Sequence, residues 1–139
     1  MSTDGYKSLV RRFIERVYNA GDVDFVDSIV APEFVRHGIG GTMHGRQVIK
    51  DRVAAARTAF PDFHITIEDQ IAEADKVVTR QTHRGTHKGP FMGIAPTGVK
   101  VETTETSILR IADGKICEVW VSVDLLTLLR QIGATTIPR

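Results

Sequence analysis

The stretch Val99 to Asp124, VKVETTETSILRIADGKICEVWVSVD, decides how the rest of the chain is read. Asp113-Gly114 stands between two β-rich arms, and an Asp-Gly pair supplies the left-handed central residues of a type I′ hairpin turn. A two-residue turn sets the register by counting: Ala112 faces Lys115, Ile111 faces Ile116, Ser107 faces Trp120 and Thr103 faces Asp124. One face then carries Ile111, Leu109, Ser107, Glu105 and Thr103 with Ile116, Glu118, Trp120, Ser122 and Asp124. The other carries Ile108, Thr106 and Thr104 with Val119, Val121 and Val123.

The first face is apolar near the turn and polar away from it, which suits the wall of a small-molecule pocket with few placed polar groups. The second is flat and β-branched, which suits burial against another sheet. Too few strands remain in the chain to build one. The reading therefore predicts a homodimer that covers Val119, Val121 and Val123.

Upstream, Tyr6, Leu9, Val10, Phe13, Ile14, Val17 and Tyr18 recur at steps of three and four, one apolar helical face. Asn19-Ala20-Gly21 can stop that helix, and Asp22 can cap a second short one that buries Phe25, Val26, Ile29 and Val30 before Pro32. Phe34 to His37 reads as a brief strand, followed by a glycine-rich loop and a third helix from about Gly45 to Ala59. From Phe63 the period changes to two, with a further run at Val77 to Arg84, the pattern of antiparallel strands. Gly85 to Gly98 is a long loop whose Phe91, Met92 and Ile94 are expected to tuck under the domain. A short helix, Leu125 to Ile132, ends at Gly133. Helices first and a strand meander after them make an α+β chain, and 139 residues without linker or repeat read as one domain, residues 1–139.

A formal net charge of +1 offers no general attraction to nucleic acid or an anionic membrane, and no apolar run reaches spanning length. One cysteine, Cys117, excludes an internal disulfide; with no signal-like opening, the expected location is the cytoplasm. Gly38-x-Gly40 lacks the third glycine of a dinucleotide fingerprint, so no nucleotide cofactor is expected. His83 and His87 are four apart in a segment that reads as strand and loop, and no metal site is expected from them. Ser107 has no elbow motif and Cys117 no activating basic neighbour in sequence, which leaves acid–base chemistry in a pocket.

Several segments together resemble the SnoaL-like polyketide cyclases. They are Gly85-Thr86-His87-Lys88-Gly89, Met92 to Gly98, Arg110-Ile111-Ala112-Asp113-Gly114-Lys115-Ile116, Glu118-Val119-Trp120 and the ending Leu128 to Gly133. The resemblance implies the cone-shaped α+β fold of the nuclear-transport-factor-like, cystatin-like superfamily, distinct from the ferredoxin-like folds: a bent antiparallel sheet and N-terminal helices enclosing one pocket. It also implies a cofactor-free intramolecular aldol condensation on a polyketide-like carbonyl compound. The family's aspartate base, and the glutamine and histidine that help it, fall on Val121, Glu105 and Ser107 here.

Three residues are candidates for catalysis. Glu105 is a mid-strand carboxylate on the Trp120 face, placed to act as a base if that face is desolvated. Asp124 shares the face but also stands at the N-cap of the last helix. His83 could hold a developing oxyanion, as could Ser107. Gln81 has the parity of His83, at a place where family members carry a large side chain that looks into the pocket. His37 ends a strand beside the glycine-rich loop, where a mouth could lie, and Trp120, Phe13, Phe60 and Met92 could wall a flat aromatic ligand. A cofactor-independent polyketide hydroxylase and a silent ligand-binding dimer module are the alternative functions.

Overall fold

In the computed structural model, which describes residues 2–134, a six-stranded sheet runs in the order β2-β1-β6-β5-β4-β3. The elements are α1 (Thr3–Phe13), α2 (Val26–Ile29), β1 (Val30–Gly38), β2 (Gly41–His44), α3 (Gln47–Ala59), β3 (His64–Glu73), β4 (Lys76–Thr86), β5 (Lys100–Ala112), β6 (Lys115–Val123) and α4 (Leu125–Gln131). This is the expected α+β architecture, with β1 joining β6 in parallel and every other pairing antiparallel.

Helix α1 begins at Ser2, whose hydroxyl accepts from the Gly5 amide, and buries Leu9, Val10 and Phe13. It does not stop at Phe13 but widens into a π-helical turn over Ile14–Asn19, closed by the Ala20 amide bonding back to the Glu15 carbonyl. The turn delivers Asn19 to the edge of β3. There its side-chain amide donates to the Ile65 carbonyl at 2.9 Å and accepts from the Ile65 amide at 2.7 Å, standing in for a neighbouring strand. Gly21, at φ 73°, then reverses the chain.

The second helix is shorter than its apolar spacing implies, because Val30 already has extended backbone and belongs to β1. Pro32, lacking an amide hydrogen, falls where the β1–β6 pairing breaks between Val30 and Val35.

The turn at Asp113-Gly114 is as expected, with φ of 53° and 74°. Ile111 faces Ile116 and Ala112 faces Lys115, but the next pair is Arg110 with Glu118. Cys117 is an extra residue, a β-bulge whose thiol donates to the Arg110 carbonyl at 3.3 Å. Beyond it every β6 residue has moved one place, and a one-place shift exchanges the two faces. Ser107 therefore faces Val121, Glu105 faces Val123, and Trp120 lies opposite Ile108.

This corrects the reading of the faces. Val119, Val121 and Val123 point into the cavity beside Ser107 and Glu105, so they are no exposed surface for a second copy. The outer face instead presents Ile71, Val78, Ile108, Trp120 and His37, each opposite the next across five strands.

Apolar residues of α1, α2, α3 and the inner sheet face form the main core, with Val10, Val17, Val26, Val30, Val77 and Ile116 fully buried. A smaller cluster of Ala59, Phe60, Val101, Leu128, Leu129 and Ile132 closes the α4 end, and Phe91 and Ile94 of the long loop pack against it. Those two residues tuck under the domain as their type suggests, whereas Met92 remains 43% exposed.

Candidate functional site

Between the concave sheet face and the helices lies a cavity of about 570 Å³, ample for a ligand of a few fused rings. Its walls are mostly apolar: Phe13, Phe34, Phe60, Phe63, Leu109 and Val119 are among them. Against that background the polar side chains stand out. Gln81 and His83 come from β4, Glu105 and Ser107 from β5, Arg36 from β1, and Tyr18 from the π-helical turn.

Glu105 is the centre of this group, with its side chain 16% exposed. Gln81 lies directly opposite it on β4, and the Gln81 amide donates to a Glu105 carboxylate oxygen. A carboxylate only accepts, so this bond sets which end of the Gln81 amide is the nitrogen. The same nitrogen lies 3.1 Å from His83 Nε2, making that ring nitrogen an acceptor and placing the imidazole proton on Nδ1. His83 Nε2 is 3.7 Å from the carboxylate. Burial pushes the His83 pKa below the usual imidazole value, and the Glu105 charge only partly opposes this, so the ring is neutral at neutral pH.

The expected consequence is that a ¹H–¹⁵N titration shows His83 taking up its proton only below the ordinary histidine range. Because its folded pKa is depressed, the stabilising effect of neutral His83 is present above the unfolded pKa and is lost as pH falls through the folded one.

Tyr18 borders the same space, and burial, with Glu105 adding to it, pushes its hydroxyl pKa up to about 12. Ser107 is 4% exposed on the cavity wall, directly opposite Val121. The three positions named by the family resemblance thus share one wall: Glu105, Ser107 and Val121 all line the cavity.

Of the residues singled out from sequence, Glu105, His83, Gln81, Ser107, Phe13, Phe60 and Met92 line the cavity. Three do not. Asp124 caps α4, accepting from the Thr127 amide at 3.1 Å and the Thr127 hydroxyl at 2.6 Å, and these bonds hold its pKa below the usual carboxylate value. Trp120 and His37 are carried to the outer face, Trp120 by the bulge, and their rings stack there at 5.4 Å. His37 Nε2 lies 2.6 Å from Glu118, which also accepts from Arg110, so this imidazole is engaged away from the cavity.

Asp124→Ala is accordingly expected to lower the melting temperature by loosening α4 while kcat stays within about twofold of wild type; thermal unfolding and turnover of one preparation check both halves.

Sequence reading missed Arg36 and Tyr18. Arg36 has the parity of Phe34, so the signal was a charged residue at an inward strand position. Tyr18 was legible only as part of an apolar helix face, because the π-helical turn that redirects it carries no marker.

A model of the SnoaL-like polyketide cyclases matches residues 8–132. Aklanonic acid methyl ester cyclase AcmA from Streptomyces galilaeus is 33% identical over 110 residues, 77% of this chain and 76% of that protein. Among solved structures, IdmH from Streptomyces antibioticus, a candidate polyketide cyclase, is 32% identical with a TM-score of 0.81, covering 92% of this chain and 98% of that one. AclR from Streptomyces galilaeus, a candidate hydroxylase, is 27% identical with a TM-score of 0.86, covering 99% and 87%. With a family model that matches nearly its whole length, the chain belongs to the SnoaL-like polyketide cyclase family.

Proposed function

We propose that the chain closes a ring in a polyketide-like carbonyl compound by an intramolecular aldol reaction, with Glu105 as the base. The observation that carries this is the Glu105 carboxylate inside an apolar cavity, oriented by Gln81 and next to a neutral His83. Glu105 takes the proton from a carbon between two carbonyls. The enolate carbon attacks a further carbonyl to form the C–C bond, and as that carbonyl oxygen becomes a hydroxyl it takes up one proton, balancing the one Glu105 removed and returning the carboxylate to its starting state. Ser107 and the Nδ1–H of His83 are the donors proposed for the developing oxyanion. Phe13, Phe60 and Met92 contribute apolar walls for the flat parts of the ligand. Val121 cannot accept a proton, so the base sits one strand away from the family's aspartate position.

Mass spectrometry of the product tests this. An aldol closure leaves the mass unchanged and proceeds without oxygen. The likeness to AclR supports a second reading, cofactor-independent hydroxylation, which gives a product one oxygen atom heavier and stops under anaerobic conditions.

A homodimer belongs to the same proposal, now through the outer face. Ile71 is 62% exposed and Ile108 36%, with Val78 between them in the outer row that ends on Trp120 and His37. Light scattering at micromolar concentration is expected to give a dimer mass, and Ile108→Glu a monomer; a monomeric wild type contradicts it. A reducing, cytoplasmic setting suits the buried free thiol of Cys117. No helix among the described residues is long and apolar enough to cross a membrane.

A further inference from the structure

Arg36 is the least expected side chain in the cavity. Its residue is 5% exposed, it lines the ligand space, and its Nη1 is buried without any hydrogen-bond partner among the described residues. The guanidinium lies over Gly38, where an added Cβ would stand 2.7 Å from Nη1, so the strand backbone leaves it room but no acceptor. No carboxylate oxygen of the described residues lies within ion-pair distance of it. Glu105, a carboxylate that lines the same cavity, is engaged by Gln81 and has His83 at 3.7 Å.

An arginine cannot shed its proton to escape burial as a lysine can. A buried cation therefore needs an anion, and here the chain supplies none in contact. Arg52, an exposed residue of α3, lines the same space and adds a second positive charge at its solvent side. Burial, and then the charge of Arg52, push the Arg36 pKa down, while Tyr18 and Glu105 oppose them in part.

We infer that Arg36, with Arg52 beside it, is a carboxylate subsite, and that the compound bound in this cavity enters as a free carboxylate and not as its neutral ester. The inference deepens the proposed function, since it names the ionic state of the substrate of that same cavity. A planar guanidinium with a free edge fits a carboxylate through two parallel N–H···O bonds, and the apolar walls around it keep that pairing dry. An ester offers no negative charge, and its carbonyl oxygen can accept only a single neutral hydrogen bond in place of the charge-assisted pair.

Isothermal titration with anthraquinone-2-carboxylate and with its methyl ester tests this without requiring turnover. Wild type is expected to bind the acid about 10- to 100-fold more tightly than the ester, the range for a charge-assisted hydrogen bond in a dry site. The acid, and not the ester, should also raise the melting temperature. Arg36→Met, which keeps the length and apolar stem, is expected to abolish the preference, and Arg52→Gln to reduce it. Glu105→Gln should keep or strengthen it, because removing a neighbouring negative charge favours the anion.

Equal affinity for acid and ester in wild type, or no binding of the acid, overturns the subsite whatever any variant does. So does a preference that survives in a folded Arg36→Met. Loss of turnover in Glu105→Gln with the acid preference intact supports both ideas. An acid preference in a chain whose Glu105→Gln form is fully active leaves the subsite standing and removes the base.

Discussion

Glu105→Gln is expected to lower kcat by about 10²–10⁴-fold with little change in melting temperature. Glutamine matches glutamate in shape and can still bond Gln81, so the β4–β5 pairing at this level, where Gln81 faces Glu105, has no reason to come apart. What is lost is the ability to take a proton. No second carboxylate replaces it on that wall: Asp124 faces its own helix, and Val121 has no titratable group. Glu105→Asp keeps the charge but withdraws it by one methylene, and is expected to fall between the two. Steady-state rates with a polyketide that carries a free carboxylate, read alongside circular dichroism, separate a lost base from a lost fold.

Gly89→Ala is expected to be the most damaging small substitution in the described residues. A Cβ on Gly89 would stand 2.1 Å from the Thr58 carbonyl oxygen and 3.1 Å from the Ala59 Cα, both backbone atoms at the end of α3. Neither can swing aside as a side chain would. The amides of Lys88 and Gly89 both donate to the Ala59 carbonyl, at 2.9 and 3.0 Å, so the loop cannot retreat without breaking the bonds that seat it. Overpacking of this kind costs about 1–3 kcal/mol, and backbone on both sides puts this site at the upper end. Denaturant unfolding of Gly89→Ala checks it, with Gly93→Ala as the control for a left-handed glycine, φ 80°, in open space. Should Gly89→Ala match wild-type stability, the loop is not clamped to α3 in this way.

Much of the architecture was legible because the physical signals were local. Asp113-Gly114 marks a turn by backbone chemistry alone, and the periods of α1 and β3 follow from side-chain direction. The faces of β6 were not legible, because a bulge at Cys117 adds one residue without any marker of the kind glycine or proline gives. That one residue decides whether Trp120 or Val121 looks into the cavity. Glu105, Ser107, Gln81 and His83 were found because they precede the bulge or lie on β4, where alternation holds. Arg36 was missed for a different reason: an isolated arginine usually belongs to solvent, and that expectation overrode its parity with the buried Phe34, beside which it is itself buried over Gly38.

The register correction also bears on chemistry. Val119, Val121 and Val123 keep the β6 wall of the cavity apolar, so the polar groups come from β4, β5, β1, α3 and, with Tyr18, the π-helical turn. Such a division gives a ligand one reactive edge and one greasy face. It places the proposed base and the proposed carboxylate subsite in a single space.

A crystal structure of the protein with a non-reactive polycyclic 1,3-dicarbonyl analogue tests the role of Glu105 most directly. The expected result has the ligand inside the sheet's concave face, with its acidic carbon within about 3.5 Å of the Glu105 carboxylate, the separation of a reactive pair. A ligand seated on the outer face against Trp120, or lying in the cavity with that carbon turned away from Glu105, would contradict it.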